Sequence, residues 1–130
     1  MIAMAKARDM LTTPYVFNAA DARAMAAAGA DIIVCHLGLT TGGAIGAQTA
    51  LRLEDCPARI DDWAAAALAV NPGILVLAHG GPVAEPADAA FIMKNTRKCH
   101  GFYGASSMER LPVERALTEQ VRKFKAIGER

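Results

Sequence analysis

Apolar residues gather in four short runs along this chain, at residues 12–17, 31–37, 74–79 and 101–105. In two of them, Ile32-Ile33-Val34-Cys35 and Ile74-Leu75-Val76-Leu77, no polar residue intervenes. Strands that are hydrophobic on both faces belong in a parallel sheet covered by helices, so these runs predict buried parallel strands. Helical signals fill the stretches between. Asn18 can cap a helix over residues 19–28, which Gly29 stops. Asp55 can cap a second that runs to about residue 70 and ends at Asn71-Pro72-Gly73. Pro86 suits the first turn of a helix over 87–96, and Pro112 opens the last one. Along that last helix Val113, Ala116, Leu117, Val121 and Phe124 mark one apolar stripe, while Arg115, Glu119, Arg122 and Lys123 face water.

Strands alternating with helices imply right-handed βαβ units around a parallel sheet. The expected fold class is α/β: half of a (β/α)8 TIM barrel, with four parallel strands each followed by a helix. The chain's 130 residues make one domain, well short of the ~250 of a complete barrel. Residues 1–9 read as the end of a helix whose strand is missing, so the chain is expected to be cut on its N-terminal side. Four strands leave open sheet edges, which predicts a homo-oligomer. Charged residues make up 21% and the formal net charge is +1, which gives no basis for nucleic acid or membrane as a partner. No apolar run approaches the ~20 residues needed to span a bilayer. Three cysteines without metal-type spacing favour free thiols in a reducing compartment, and the cytoplasm is the expected location.

Barrel enzymes place their chemistry at the C-terminal ends of the strands. The second run ends Cys35-His36-Leu37-Gly38 and the third Ala78-His79-Gly80-Gly81-Pro82, which puts a histidine at each rim. Alternation groups Ile32, Val34 and His36 on one face, and Leu75, Leu77 and His79 on another. Adjacent strands lie ~4.8 Å apart, so the two imidazoles become neighbours if both face inward. His36 and His79 are then candidate general acids or bases. The competing assignment is two structural histidines bonded to loop carbonyls. Cys35-His36 and Cys99-His100 do not suit a metal: strand neighbours point to opposite faces, and the second pair precedes its strand.

Loops after the strands supply the remaining candidates. Gly80, Gly81, Gly104, Ser106 and Ser107 lie where barrels frequently hold phosphate on backbone N–H groups. Ser106-x-x-Glu109 is equally a capping box. The long loop 38–54 carries Thr40, Thr41, Gly42 and Gly43, a lid or ligand loop in one view and a surface excursion in the other. Arg110 can pair with a carboxylate, and Glu109 can orient a histidine or activate water. The site so assembled fits a small anionic metabolite. Magnesium enters by barrel analogy only, because no dedicated carboxylate cluster is seen.

Three segments carry a resemblance: His36-Leu37-Gly38-Leu39-Thr40-Thr41-Gly42-Gly43, His79-Gly80-Gly81-Pro82, and Gly101 through Pro112, with Gly104-Ala105-Ser106-Ser107-Met108-Glu109-Arg110 at its centre. They resemble the phosphoenolpyruvate hydrolase-like family, also called TIM-barrel signal transduction proteins, over about residues 11–127. That resemblance implies a barrel of about twice this length with this chain as its C-terminal half. The function expected is hydrolase-like chemistry on a phosphorylated or carboxylated small molecule. The alternatives are a non-catalytic ligand sensor or interaction domain, and a fragment without function of its own.

Overall fold

In the computed structural model, which describes residues 1–48 and 51–128, the four apolar runs pair side by side as parallel strands in the order β1-β2-β3-β4. They are β1 (Tyr15–Val16), β2 (Ile32–His36), β3 (Leu75–His79) and β4 (Gly101–Phe102). The helices are α1 (Ile2–Lys6), α2 (Ala19–Ala27), α3 (Cys56–Leu68), α4 (Pro86–Asn95) and α5 (Arg110–Lys125). Each strand is followed by a helix, as half of a TIM barrel requires.

The outer strands are shorter than the runs that encode them. Pro14 has no N–H to donate, yet the carbonyls of Thr12 and Pro14 still accept from Ile32 and Val34, so the first run lies along β2 beyond its formal ends. Tyr103 likewise donates to the Ala78 carbonyl at 2.8 Å, one residue past β4.

One face of the sheet is sealed by helices. Ile33, Cys35, Leu37, Val76 and Ala78 point into a buried cluster with Ala22 and Ala26 of α2, Ile60, Trp63, Ala64 and Ala67 of α3, and Ile92 of α4. Alanine dominates the α2–α3 contact, which lets the two helices approach closely. The opposite face is only partly covered: Val34 and His79 on it are buried, whereas its ends are exposed. In register, Tyr15, Val34 and Leu77 form one layer, and Phe17, His36, His79 and Tyr103 continue as the next. This face would be the interior of a closed barrel. Four strands do not close one, and Phe17, Tyr15 and Leu75 remain 56%, 41% and 46% exposed.

Helix boundaries follow their caps, with two corrections. Asn18 accepts the Asp21 N–H at 2.8 Å, and Gly29 at φ +86° ends α2 as expected. At α4 the Asp88 carboxylate accepts from the N–H groups of Ala84 and Glu85 at 3.1 and 2.8 Å. Asp55 does not cap α3. Its backbone is already helical after a 3-10 turn (Leu53–Asp55), and its carboxylate pairs with Arg52 instead. The Ser106–Glu109 capping box is also absent. The Glu109 N–H goes to the Ala105 carbonyl, and the Ser106 carbonyl accepts from Arg110 and Leu111, so α5 starts two residues before Pro112. A third departure concerns the α5 stripe. Only Leu111 is buried, whereas Val113, Leu117, Val121 and Phe124 are more than half exposed.

At the far end of the sheet, Lys6 binds Asp31 at 2.5 Å, and Thr12 donates to Asp31 through its hydroxyl at 2.6 Å and its N–H at 2.9 Å. These bonds, Lys6 first, hold the Asp31 carboxyl down at about 2 and tie α1 to the first two strands. Among the described residues no helix is long and apolar enough to cross a membrane.

Candidate functional site at the strand ends

The parallel register that packs Ile33 and Val76 against the helices also sets His36 directly beside His79 at the strand ends. Their ring centroids are 5.0 Å apart. Tyr15 stacks on His79 at 5.1 Å and 12°, and meets His36 edge-on at 4.8 Å. Phe17 lies 5.1 Å from His36, and Tyr103 lies 6.0 Å from His79. Imidazoles held among aromatic rings have little rotational freedom and little water on the side facing the sheet.

Backbone stitching fixes the rim. The Leu37 N–H donates to the His79 carbonyl at 2.9 Å, and the Gly81 N–H to the Gly38 carbonyl at 2.7 Å. Thr41 donates its N–H at 3.0 Å and its hydroxyl at 3.2 Å to the Gly81 carbonyl. The chain can turn this tightly because Gly80 and Gly81 sit in the left-handed region, at φ +70° and +59°.

Hydrogen bonding settles which nitrogen of each ring carries the proton. His79 Nδ1 lies 2.6 Å from the Tyr103 carbonyl, which can only accept, so Nδ1 carries a proton, and in the neutral ring Nε2 is the nitrogen with the lone pair. His36 Nδ1 accepts the Gly38 N–H at 3.2 Å, so its proton resides on Nε2. One ring thus offers a base and the other a donor. Burial lowers the His36 pKa below 6.5, and the neighbouring His79 lowers it further. An unfolded chain would take up a proton at His36 near pH 6.5 while the native chain resists it. The stability tied to this residue is therefore complete above that pH and declines as pH falls toward the lowered native value. Melting temperatures of wild type and His36→Gln, followed from pH 7.5 to 5, should show a steeper acid loss in wild type. Parallel curves would contradict it.

A cavity of about 510 Å³ opens above the histidines. Of the sequence candidates, His36, His79, Thr40, Ser106 and Arg110 line it, together with Tyr15, Leu39, Ile45, Ala47 and Ala105. The N–H groups of Ser106 and Ser107, in the turn before α5, meet no protein acceptor among the described residues. The other candidates are placed elsewhere. The Gly81 N–H and the Thr41 hydroxyl are spent on the stitching above, so neither is available to hold an anion. Gly80 shapes the turn rather than lining the cavity. Gly42 lies against Ala84, Gly43 against the start of α5, and Gly104 under Met108. Ser107 is partly buried outside the lining, and Glu109 is exposed and outside it. Within loop 38–54, residues 49 and 50 lie outside the described residues.

The donor set argues against magnesium in this cavity. Among the described residues no carboxylate lines it, and Arg110 brings a positive charge. The thiols are equally unsuited to chemistry. Burial pushes Cys35 up to about 12 and Cys56 to about 11, and raises Cys99. A larger groove of about 570 Å³ between α3 and α4 has its central carboxylate committed, since Asp61 accepts the N–H groups of Arg97 and Lys98.

Three contributors lie outside the sequence candidates. Tyr15 and Tyr103 were legible: each sits on the histidine face by the same alternation that grouped His36 and His79. Glu114, which grips Arg110 at 3.0 Å, carried no signal, because a helix pattern does not tell which loop the helix will meet.

Parallel strands with helices on one face and titratable groups at the strand ends define a TIM-barrel half. Two solved TIM-barrel proteins superpose on it: a FabK variant from Thermotoga maritima and nitroalkane oxidase from Streptomyces ansochromogenes. The first has TM-score 0.51 and 26% identity over 75% of this chain and 29% of that one. The second has TM-score 0.50 and 25% identity over 92% and 36%. Residues 1–127 match the family described as Phosphoenolpyruvate hydrolase-like, and the chain belongs to that family. Two proteins of Solanum lycopersicum, the ToMV susceptible protein tm-1(GCR26) and the ToMV resistance protein Tm-1(GCR237), are each 54% identical over 98% of this chain. A putative transcriptional regulatory protein of Sinorhizobium fredii, y4pA, is 31% identical over the same share. The chain spans 17% of the length of the tomato proteins and 21% of the bacterial one.

Proposed function

We propose that this domain binds a small phosphorylated or carboxylated metabolite at the strand ends and that His36 and His79 carry hydrolase-type acid–base chemistry on it. The observation that carries this reading is the histidine pair itself, two rings facing one cavity whose Nδ1 atoms play opposite hydrogen-bonding roles. Ser106 and Arg110 supply donors for an anion on the same rim. For a phosphate ester the protons balance as follows. His79 Nε2 takes a proton from water as the water oxygen bonds to phosphorus. The ester P–O bond breaks, and the His79 imidazolium returns its proton through solvent to the departing oxygen, which restores His79. His36 stays neutral and hydrogen-bonds that oxygen through its Nε2–H. In this reading the chain is the C-terminal half of the barrel, and four further strands complete the cavity.

A second reading has its own support. The relatives' names concern virus susceptibility, virus resistance and transcriptional regulation, none of which names a reaction. A ligand sensor or interaction domain would use the same cavity without turnover.

Inorganic phosphate and phosphoenolpyruvate should each raise the melting temperature, with chloride as the ionic-strength control. Binding confined to the native state adds about 2.7 kcal/mol at a hundredfold excess over Kd. A flat response up to millimolar ligand would remove the anion site. Binding without phosphate release would favour the sensor.

A further inference from the structure

Loop 39–47 contributes Leu39, Thr40, Ile45 and Ala47 to the wall of the cavity. Two anchors hold it. Thr41 is one, bonded to the Gly81 carbonyl at the rim. The other is the first turn of α5. One carboxylate oxygen of Glu114 accepts the Ala44 N–H at 2.6 Å, and the other accepts from Arg110 at 3.0 Å. Arg110 in turn donates to the Gly42 carbonyl at 3.3 Å. One carboxylate therefore grips both the loop backbone and the guanidinium that lines the cavity. The two side chains are only 22% and 23% exposed, so water and salt screen them less than a surface pair. Gly43, at φ +74°, lies so close that an added Cβ would collide with Glu114, Arg110 and Leu111.

We propose that Glu114 is a positioning residue that latches loop 39–47 over the histidine pair and, by neutralising Arg110, sets how strongly the cavity attracts a small anion. The second half of this inference rests on the anion-site reading above; the latch does not. A guanidinium has five N–H donors, and Glu114 and Gly42 occupy two, which leaves donors for a ligand. The carboxylate keeps Arg110 aimed, while its charge opposes any anion that arrives beside it. Substitution separates these effects, because glutamine keeps an acceptor for the Ala44 N–H and lacks the charge.

The test uses the full chain, with amide exchange read at Ala44 and inorganic phosphate titrated against each variant. Glu114→Ala should speed Ala44 exchange roughly ten- to hundredfold, the size of one charge-assisted hydrogen bond. Gly43→Ala should do the same with both charged groups still present. Glu114→Gln should leave exchange near wild type and bind phosphate roughly fivefold more tightly, the effect of one charge removed at a solvent-open cavity. Unchanged Ala44 exchange in Glu114→Ala and Gly43→Ala would overturn the latch. Weaker phosphate binding by Glu114→Gln would overturn the electrostatic role. If Glu114→Ala does not fold, Gly43→Ala tests the latch in its place, with the same two outcomes. Faster Ala44 exchange in Glu114→Ala and Gly43→Ala, with no phosphate bound by any variant, would sustain the latch and refute the anion reading.

Discussion

Replacing His79 with asparagine is expected to cut phosphate release from phosphoenolpyruvate by the protein carrying this chain ~10²–10⁴-fold, the usual cost of losing a positioned acid or base. The amide of asparagine sits close to where Nδ1 sat, so it retains a donor for the Tyr103 carbonyl. What disappears is Nε2, the lone pair that faces the cavity. His79 is 6% exposed, yet its partners are a backbone carbonyl, two tyrosine rings and the His36 ring, and the melting temperature should change little. Glu109→Gln is the control. Glu109 stands outside the cavity and caps nothing, so release and stability should both match wild type. Equal release by wild type and His79→Asn would end the hydrolase reading and leave the sensor.

The second large effect is on stability and needs no assumption about the ligand. At Gly80 the backbone is left-handed, and an added Cβ would run into the Gly38 carbonyl oxygen. A left-handed L-residue costs roughly 1–2 kcal/mol before any clash. The obstacle here is backbone on a stitched strand end, which no side-chain rotation relieves. Gly80→Ala should therefore destabilise the domain by about 3–5 kcal/mol, among the larger effects of a single substitution. It should also displace His36, whose Cε1 lies 4.0 Å from the same position. Gly73→Ala provides the comparison: its Cβ would meet only Asn71 Oδ1 at 3.6 Å, so a change within about 0.5 kcal/mol is expected. Denaturant unfolding of the two variants checks the contrast. A Gly80→Ala midpoint equal to that of wild type would show that the rim turn is softer than its geometry implies.

The histidine pair was readable because strand periodicity is rigid. Once Ile32–Val34–His36 and Leu75–Leu77–His79 are each placed on one face, parallel register leaves few ways to separate the rings. Loop candidates fared differently. Glycine and threonine content identified loop 38–54 as adaptable, but a composition that suits ligand binding suits backbone stitching equally well. The Thr41 hydroxyl and the Gly81 N–H were claimed by the protein itself. Ser106 and Glu109 matched a capping box by spacing, yet the turn closed on the Ala105 carbonyl. Local hydrogen-bond alternatives differ by about a kcal/mol, too little for a motif to decide alone.

The sequence by itself determined the alternation of strand and helix, the grouping of Ile32, Val34 and His36 and of Leu75, Leu77 and His79 on single faces, and the rim position of His36 and His79. These follow from side-chain period and hydrophobicity, which act over a few residues at a time. Only the tertiary structure decided that Tyr15 stacks on His79, that the two rings hold opposite tautomers, and that Glu114 reaches across 70 residues to Ala44. It also decided that the α5 stripe lies exposed, although its period is that of a packed helix. The reason is the same in each case: a pattern states which side of an element is apolar or which residue can donate, whereas the partner that answers it is chosen by how the chain closes in space.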